Sequence, residues 1–305
     1  MKLLVATQKP FHPDAITSIR EIAQKAGYKF SLLEKYKEQS EFTEAVKTAE
    51  ALIVRSDKVT AEVIEQAKNL KIVVRAGAGF DNVDTEAAAK KGITVMNTPG
   101  QNSNAVAELA LGMMVFLARG KYNGKPGTEL KGKSLGIHAY GNVGKNVARI
   151  AKGFGMEVYA FDAFVDKAAI EKDGVKALNS VEELYTKCQY ISLHIPANDK
   201  TKQSINYALL SSMPKNAVLV NTARKEVIHE DDLQKVMKER SDFSYISDIA
   251  PDCKDELEKE FADRVYFTPK KMGAQTAEAN INAGIAAAQQ IVNFIEKGDT
   301  TFKVN

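Results

Sequence analysis

Eight short apolar runs in this chain end in polar residues that a core would not select: Arg55-Ser-Asp-Lys58, Arg75-Ala-Gly-Ala-Gly79, Asn97-Thr-Pro99, Asp162, His194-Ile-Pro196, Asn221-Thr-Ala-Arg224, Asp248 and Thr268-Pro-Lys-Lys271. The residue types suit anion binding and proton transfer. A guanidinium offers two parallel charge-assisted bonds to a carboxylate or phosphate. Lysine and histidine can pass a proton when held against a substrate. Taken singly, each end has an ordinary explanation, such as a solvated arginine, a hydrogen-bonded loop histidine or a surface lysine pair. Together they suggest a ligand site, because parallel sheets bind ligands outside the carboxyl ends of their strands.

The most organised stretch is residues 134–162. Leu135 and Ile137 make a short strand, and Gly141 and Gly144 open a helix with the apolar face Val143, Val147 and Ile150. A second strand, Met156–Phe161, carries Asp162 at its carboxyl end, eighteen residues past Gly144. A dinucleotide-binding turn needs this arrangement. One glycine lets the backbone approach the pyrophosphate, another lets helix and strand pack closely, and the helix N-terminus presents unpaired N–H groups. Gly141, Asn142, Val143 and Gly144 are the expected pyrophosphate contacts. Asp162 would accept from the adenosine ribose hydroxyls, which favours NAD over NADP. The usual G-x-G-x-x-G is departed from at its first position, which is Ala139.

The elements that must position these residues alternate strand and helix. Strands are expected at Leu3–Thr7, Lys29–Leu33, Ala51–Arg55, Lys71–Arg75 and Ile93–Asn97, with helices at Asp14–Ala26, Phe42–Ala49, Ala61–Ala67 and Thr85–Lys91 between them. A long helix, Asn104–Ala118, follows. After the nucleotide unit come strands at Tyr190–His194, Ala217–Asn221, Ser244–Asp248 and Val265–Thr268, helices at Asn206–Ser212 and Glu230–Glu239, and a last helix at Ala277–Glu296. This rhythm predicts an α/β protein of two doubly wound parallel-sheet domains. A nucleotide fingerprint normally opens its own sheet, yet here it lies mid-chain. The expectation is therefore a Rossmann-type NAD domain, 100–274, inserted into a substrate domain, 1–99 plus 275–305.

At 305 residues the chain is long enough for two cores. A formal net charge of +3 is too small to imply nucleic acid or an acidic membrane as partner. The two cysteines, Cys188 and Cys253, lie far apart, which argues against a disulfide scaffold or a zinc site and fits a cytoplasmic setting. Lys2–Thr7 is apolar too briefly for a signal peptide, and Ala105–Ala118 is too short to span a bilayer and contains Glu108.

In their order along nearly the whole chain, Arg75–Asp84, Asn97-Thr-Pro99, Ala107-Glu108, the mid-chain turn with Asp162, Ser192–Pro196, Asn221–Arg224 and Asp248 resemble the D-2-hydroxyacid dehydrogenase family. Ile53-Val-Arg-Ser56, Arg75 and Met96–Gly100 resemble most closely its D-3-phosphoglycerate dehydrogenase branch, in a short form that stops at the catalytic core. The resemblance implies NAD-dependent oxidation of a phosphorylated 2-hydroxy acid, D-3-phosphoglycerate, the first step of serine biosynthesis. It also implies a homodimer formed through the long helix of the NAD domain. Arg55 and Arg75, with Lys58, would hold the phosphate, and the Gly77-Ala78-Gly79 loop would meet the substrate carboxylate. Arg224 would correspond to the catalytic arginine, Asp248 would contact the nicotinamide carboxamide, and His194, Pro196 and Thr222 would line the cofactor pocket.

The departures from the family are as informative as the matches. The family's acid/base histidine has no counterpart in Pro269-Lys-Lys-Met-Gly-Ala-Gln-Thr276, and five residues after Asp248 stands Cys253 where the family has glutamate. Counting back from Thr276 puts Lys271 in the histidine's place, and counting forward from Pro269 puts Lys270 there. Lys271 fits the motif's glycine better. A histidine needs a carboxylate neighbour to stay protonated near neutrality, whereas a lysine, with a reference pKa near 10.4, does not. Loss of His and Glu together therefore fits a lysine acid/base. Two other readings remain at this stage: a glyoxylate or hydroxypyruvate reductase of the same family, and a non-catalytic NAD-binding regulator.

Overall fold

A computed structural model describes residues 1–305 and divides them into two compact units, Met1–Asn102 with Gln275–Asn305, and Ser103–Ala274. The first unit opens with β1 (Lys2–Thr7), α1 (Pro13–Lys25), β2 (Lys29–Glu34), α2 (Gln39–Val46), β3 (Ala51–Val54), α3 (Ala61–Gln66), β4 (Ile72–Arg75), α4 (Thr85–Lys90) and β5 (Thr94–Asn97). Its sheet is parallel in the order β2-β1-β3-β4-β5. Leu3–Ala6, Ala51–Val54 and Ile72–Val74 are buried along their whole length, as central parallel strands covered on both faces must be. The edge strand β2 is only half-buried.

The second unit runs α5 (Ser103–Ala118), β6 (Ser134–His138), α6 (Asn142–Gly153), β7 (Glu157–Phe161), α7 (Lys167–Lys172), β8 (Lys176–Ala177), α8 (Val181–Lys187), β9 (Tyr190–Leu193), α9 (Tyr207–Ser212), β10 (Val218–Asn221), α10 (Glu230–Glu239), β11 (Ser244–Ser247), α11 (Lys254–Phe261) and β12 (Val265–Phe267). Its parallel sheet has the order β12-β11-β10-β9-β6-β7-β8. The winding reverses between β6 and β9, the arrangement of dinucleotide-binding sheets. The chain then returns to the first unit with α12 (Ala277–Lys297), whose Ala283, Ala287 and Ile291 share a core with Ala15, Ile19 and Ala23 of α1.

Four elements go beyond the sequence expectation: α7, β8, α8 and α11. Helices α7 and α11 bury one residue each, Ile170 and Leu257, so neither carries an apolar period to detect. Strand β8 is two residues long. Helix α8 did leave a signal, since Ser180 accepts from Glu183 N at its start. At the other sheet edge, Val304 N donates to Val95 O at 2.9 Å, and the Asn305 side chain bonds Val95 N and Ile93 O, so the last residues cover β5. No helix is long and apolar enough to cross a membrane.

Candidate active site

The nucleotide turn forms between β6 and α6. Gly141 is the N-cap of α6, so the N–H groups of Asn142, Val143 and Gly144 in its first turn have no helical partner. A Cβ on Gly144 would lie 2.4 Å from the Ala139 carbonyl oxygen and 3.0 Å from Ile137 Cγ2. This glycine is what lets α6 close on β6. Ala139 has φ +82°, the left-handed region where a side chain is strained, and its methyl packs on the core of the opposite sheet face. Asp162 Oδ2 accepts from Tyr140 N at 2.6 Å, while Oδ1 accepts from Phe164 N and Val165 N. The carboxylate thus fastens the turn to the end of β7, and a ribose hydroxyl would meet an acceptor already held in place. The N–H cradle, the close helix approach and the fixed carboxylate fit a dinucleotide pyrophosphate and ribose.

Two histidines lie beneath this turn, joined by His194 N donating to His138 O at 2.9 Å. Burial drives the His138 ring down to about 4 against the pull of Asp162. Burial, then the neighbouring His138, drives His194 to about 3. Both are neutral at physiological pH, so His194 cannot ion-pair with a phosphate. Its ring bridges Ser192 Oγ at 2.9 Å and Thr222 Oγ1 at 3.4 Å instead, which orients the buried Thr222. Pro196 is exposed beyond the end of β9.

At the ends of β10, β11 and β12 the structure brings together Arg224, Asp248 and the lysine turn. The Asn221 side chain bonds Arg224 O and Ala223 N, each at 2.9 Å, so it moulds the turn that presents Arg224. Asn221 is a positioning residue that sequence reasoning left without a role. Asp248 has partners within the chain that its sequence position does not announce. Its carboxylate is buried and takes Met272 N at 2.7 Å, Gly273 N at 2.8 Å and Thr268 Oγ1 at 2.9 Å. Its first role is therefore to hold the lysine turn, and only its remaining lone pair is left for a carboxamide. Thr268 Oγ1 also lies 3.0 Å from Lys270 O, so its one proton is shared between that carbonyl and Asp248, while Met272 N is held on the other side of Lys271. Lys270 and Lys271 are both exposed. Cys253, in the family's glutamate position, has its thiol pushed up to about 12 by burial and by the Glu230 carboxylate. Glu230, from the first turn of α10, takes Asp252 N and Cys253 N at 2.9 Å each.

In the first unit Arg55 and Arg75 stand at the adjacent ends of β3 and β4. Arg55 Nη1 donates to Lys9 O at 3.0 Å and Pro10 O at 2.7 Å, and its guanidinium lies 5.2 Å from the centre of the Phe11 ring. Arg75 Nε donates to Arg55 O at 2.9 Å. Its guanidinium crosses Gly77, φ +149°, where a Cβ would come within 1.6 Å of Nη1. Gly77 O accepts from Thr98 N and Ala78 O from Asn97 Nδ2, which leaves the N–H groups of residues 77–79 without partners in the chain. Lys58 is exposed, and the structure gives its ammonium no partner. Asp57, hidden in sequence between two cations, is a buried hub that accepts from Gln8 N, Tyr36 OH and Arg55 N.

Comparison with known proteins agrees with this layout. Residues 108–270 match the model of the D-isomer specific 2-hydroxyacid dehydrogenase, NAD binding domain. A D-3-phosphoglycerate dehydrogenase of Methanocaldococcus jannaschii is 37% identical over 309 residues, which is 95% of this chain but 57% of that protein. The chain thus spans little more than half of that relative. A hydroxypyruvate reductase of Thermotoga maritima is 37% identical over 273 residues, covering 83% of this chain and 87% of the relative. Among solved structures, NAD+-bound 3-phosphoglycerate dehydrogenase of Entamoeba histolytica superposes with a TM-score of 0.89 at 46% identity, covering 100% of this chain and 98% of that one.

Proposed function

We propose, for a chain that belongs to the D-isomer specific 2-hydroxyacid dehydrogenase family, the NAD-dependent oxidation of D-3-phosphoglycerate to 3-phosphohydroxypyruvate, the opening step of serine biosynthesis. The observation that carries the substrate choice is the pair Arg55 and Arg75 at adjacent strand ends, beside a loop with three unengaged N–H groups. A 2-hydroxy acid with a distal phosphate has two anionic ends for them to hold. Bound NAD would supply the hydride acceptor. Arg224 would grip the substrate carboxylate and C2 oxygen, and Lys271 would take the C2 hydroxyl proton in oxidation and return it to the keto oxygen in reduction. Asp248 and Thr268 serve this step indirectly, by fastening the turn on either side of Lys271. Oxidation needs a neutral lysine, so its rate should climb with pH. The chain would work as a homodimer through α5, whose Leu109, Val115 and Phe116 are only half-buried within one copy.

The test is NADH formation from NAD and D-3-phosphoglycerate, with 3-phosphohydroxypyruvate trapped to pull the reaction forward. Lys271→Met should lower kcat about 100-fold or more, while Lys270→Met keeps most of it. Normal turnover by Lys271→Met would remove the assignment. A hydroxypyruvate reductase is the second reading, favoured by the Thermotoga maritima relative, most of whose length this chain matches. Equal turnover of phosphorylated and unphosphorylated substrates would select it.

A further inference from the structure

The first unit's sheet reverses its winding between β1 and β3, and at that point the structure opens a cleft of about 630 Å3. Doubly wound sheets take ligands at such a reversal. The loop after β1 contributes Gln8, Lys9 and His12, the end of β3 contributes Arg55, and Gln275 and Asn280 close the cleft around the start of α12. No residue lining it is acidic. Of the acids close by, Asp57 is turned to its three donors, Asp14 is exposed and lies 3.6 Å from His12 Nδ1, and Glu278 is exposed in the first turn of α12.

The donor geometry selects a multivalent anion. Arg55 commits both protons of Nη1 to the Lys9 and Pro10 carbonyls, which leaves Nε and Nη2, the side-on edge that grips two oxygens at once. His12 Nδ1 accepts from Asp14 N at 3.3 Å, so a neutral ring carries its proton on Nε2, as a donor. The structure gives the Lys9 ammonium no partner. Arg75 does not line the cleft. We infer that this cleft receives the distal phosphate of the substrate, and that Lys9 and His12 bind it beside Arg55, while Arg75 and the Gly77–Gly79 loop serve the carboxylate end. The inference rests on the phosphoglycerate reading and divides between two places the anions which that reading gave to one arginine pair. A phosphate monoester near neutrality carries between one and two negative charges on three oxygens, more than one guanidinium edge can satisfy.

The experiment compares kcat/KM for NADH-dependent reduction of 3-phosphohydroxypyruvate and of hydroxypyruvate, which differs only in lacking the phosphate. The proteins are the wild type, Lys9→Met, His12→Asn and the double variant. Asparagine retains the helix cap that His12 provides to α1. The wild-type ratio should strongly favour the phosphorylated substrate. Each single change should lower that ratio about tenfold, mainly through KM, and the double variant should lower it further. A high wild-type ratio that the variants leave unmoved overturns the inference alone, and so does a loss that affects both substrates alike. A wild-type ratio near one overturns the reading and the inference together.

Discussion

Gly77 in the first unit and Gly144 in the second both exist for want of a Cβ, yet they make room for different things. At Gly77 the space is filled by the Arg75 guanidinium, the far end of a flexible side chain. At Gly144 it is filled by the carbonyl of Ala139, which is backbone and cannot swing away. One glycine seats a guanidinium, and the other allows a strand and a helix to meet at all. The Gly77 loop also places glycine where φ is positive, whereas the nucleotide turn places Ala139 there and carries the strain. Similar N–H cradles can thus be built with the conformational cost in different places.

Paired substitutions should break the comparison most strongly. Gly144→Ala should cost about 3 kcal/mol of stability, from forced contact with backbone, and weaken NAD binding at least tenfold. Gly77→Ala should cost about 1–2 kcal/mol, with NAD affinity retained and kcat/KM for phosphoglycerate down roughly 100-fold as Arg75 is displaced. Urea melts and NAD calorimetry would separate them, and equal loss of NAD affinity in both variants would erase the distinction.

A second contrast is acid sensitivity, because the histidines whose rings are strongly depressed lie only in the nucleotide unit. His138 and His194 are depressed to about 4 and about 3. Their contribution is fully present above the unfolded-state value of about 6.5 and is lost as pH falls towards those folded values, because the unfolded chain takes up protons first. His138 alone should account for about 3 kcal/mol across that window. Melts between pH 7 and pH 4 should show the slope, and His138→Gln should flatten it. The smallest effect belongs to Ala139→Gly. Relief of about 1–2 kcal/mol of left-handed strain is opposed by added chain entropy and by a lost methyl contact, so stability should move by about 0.5 kcal/mol or less. A gain well above that would mean the methyl packs on nothing.

The parts of the site that were legible in the sequence are those with local causes. Continuous apolar runs such as Ala51–Val54, bounded by turn residues, suit central strands, and Gly141, Gly144 and Asp162 sit at spacings set by one strand, one turn and one helix. The charged helix α11, with Leu257 alone buried, shows the limit of that approach. The side-chain partners were not legible. Asp57 is only one member of a polar strand end in the sequence, and becomes a hub when β1 and the Tyr36 loop are brought to it. Nothing in the sequence around Asp248 shows that the turn after β12 reaches it from twenty-four residues away.

Sequence by itself determined the two parallel sheets, the place where one interrupts the other, and which residue types stand at the strand ends. Period and glycine spacing are properties of neighbouring residues and survive without a fold. Tertiary structure alone decided that Arg55 turns its Nη1 to the Lys9–Pro10 carbonyls, that Asp248 holds the lysine turn, and that Ala139 bears the strain beneath the pyrophosphate cradle. A carboxylate or guanidinium takes whichever partners the surrounding segments leave within about 3 Å, and those segments meet only when the sheets close.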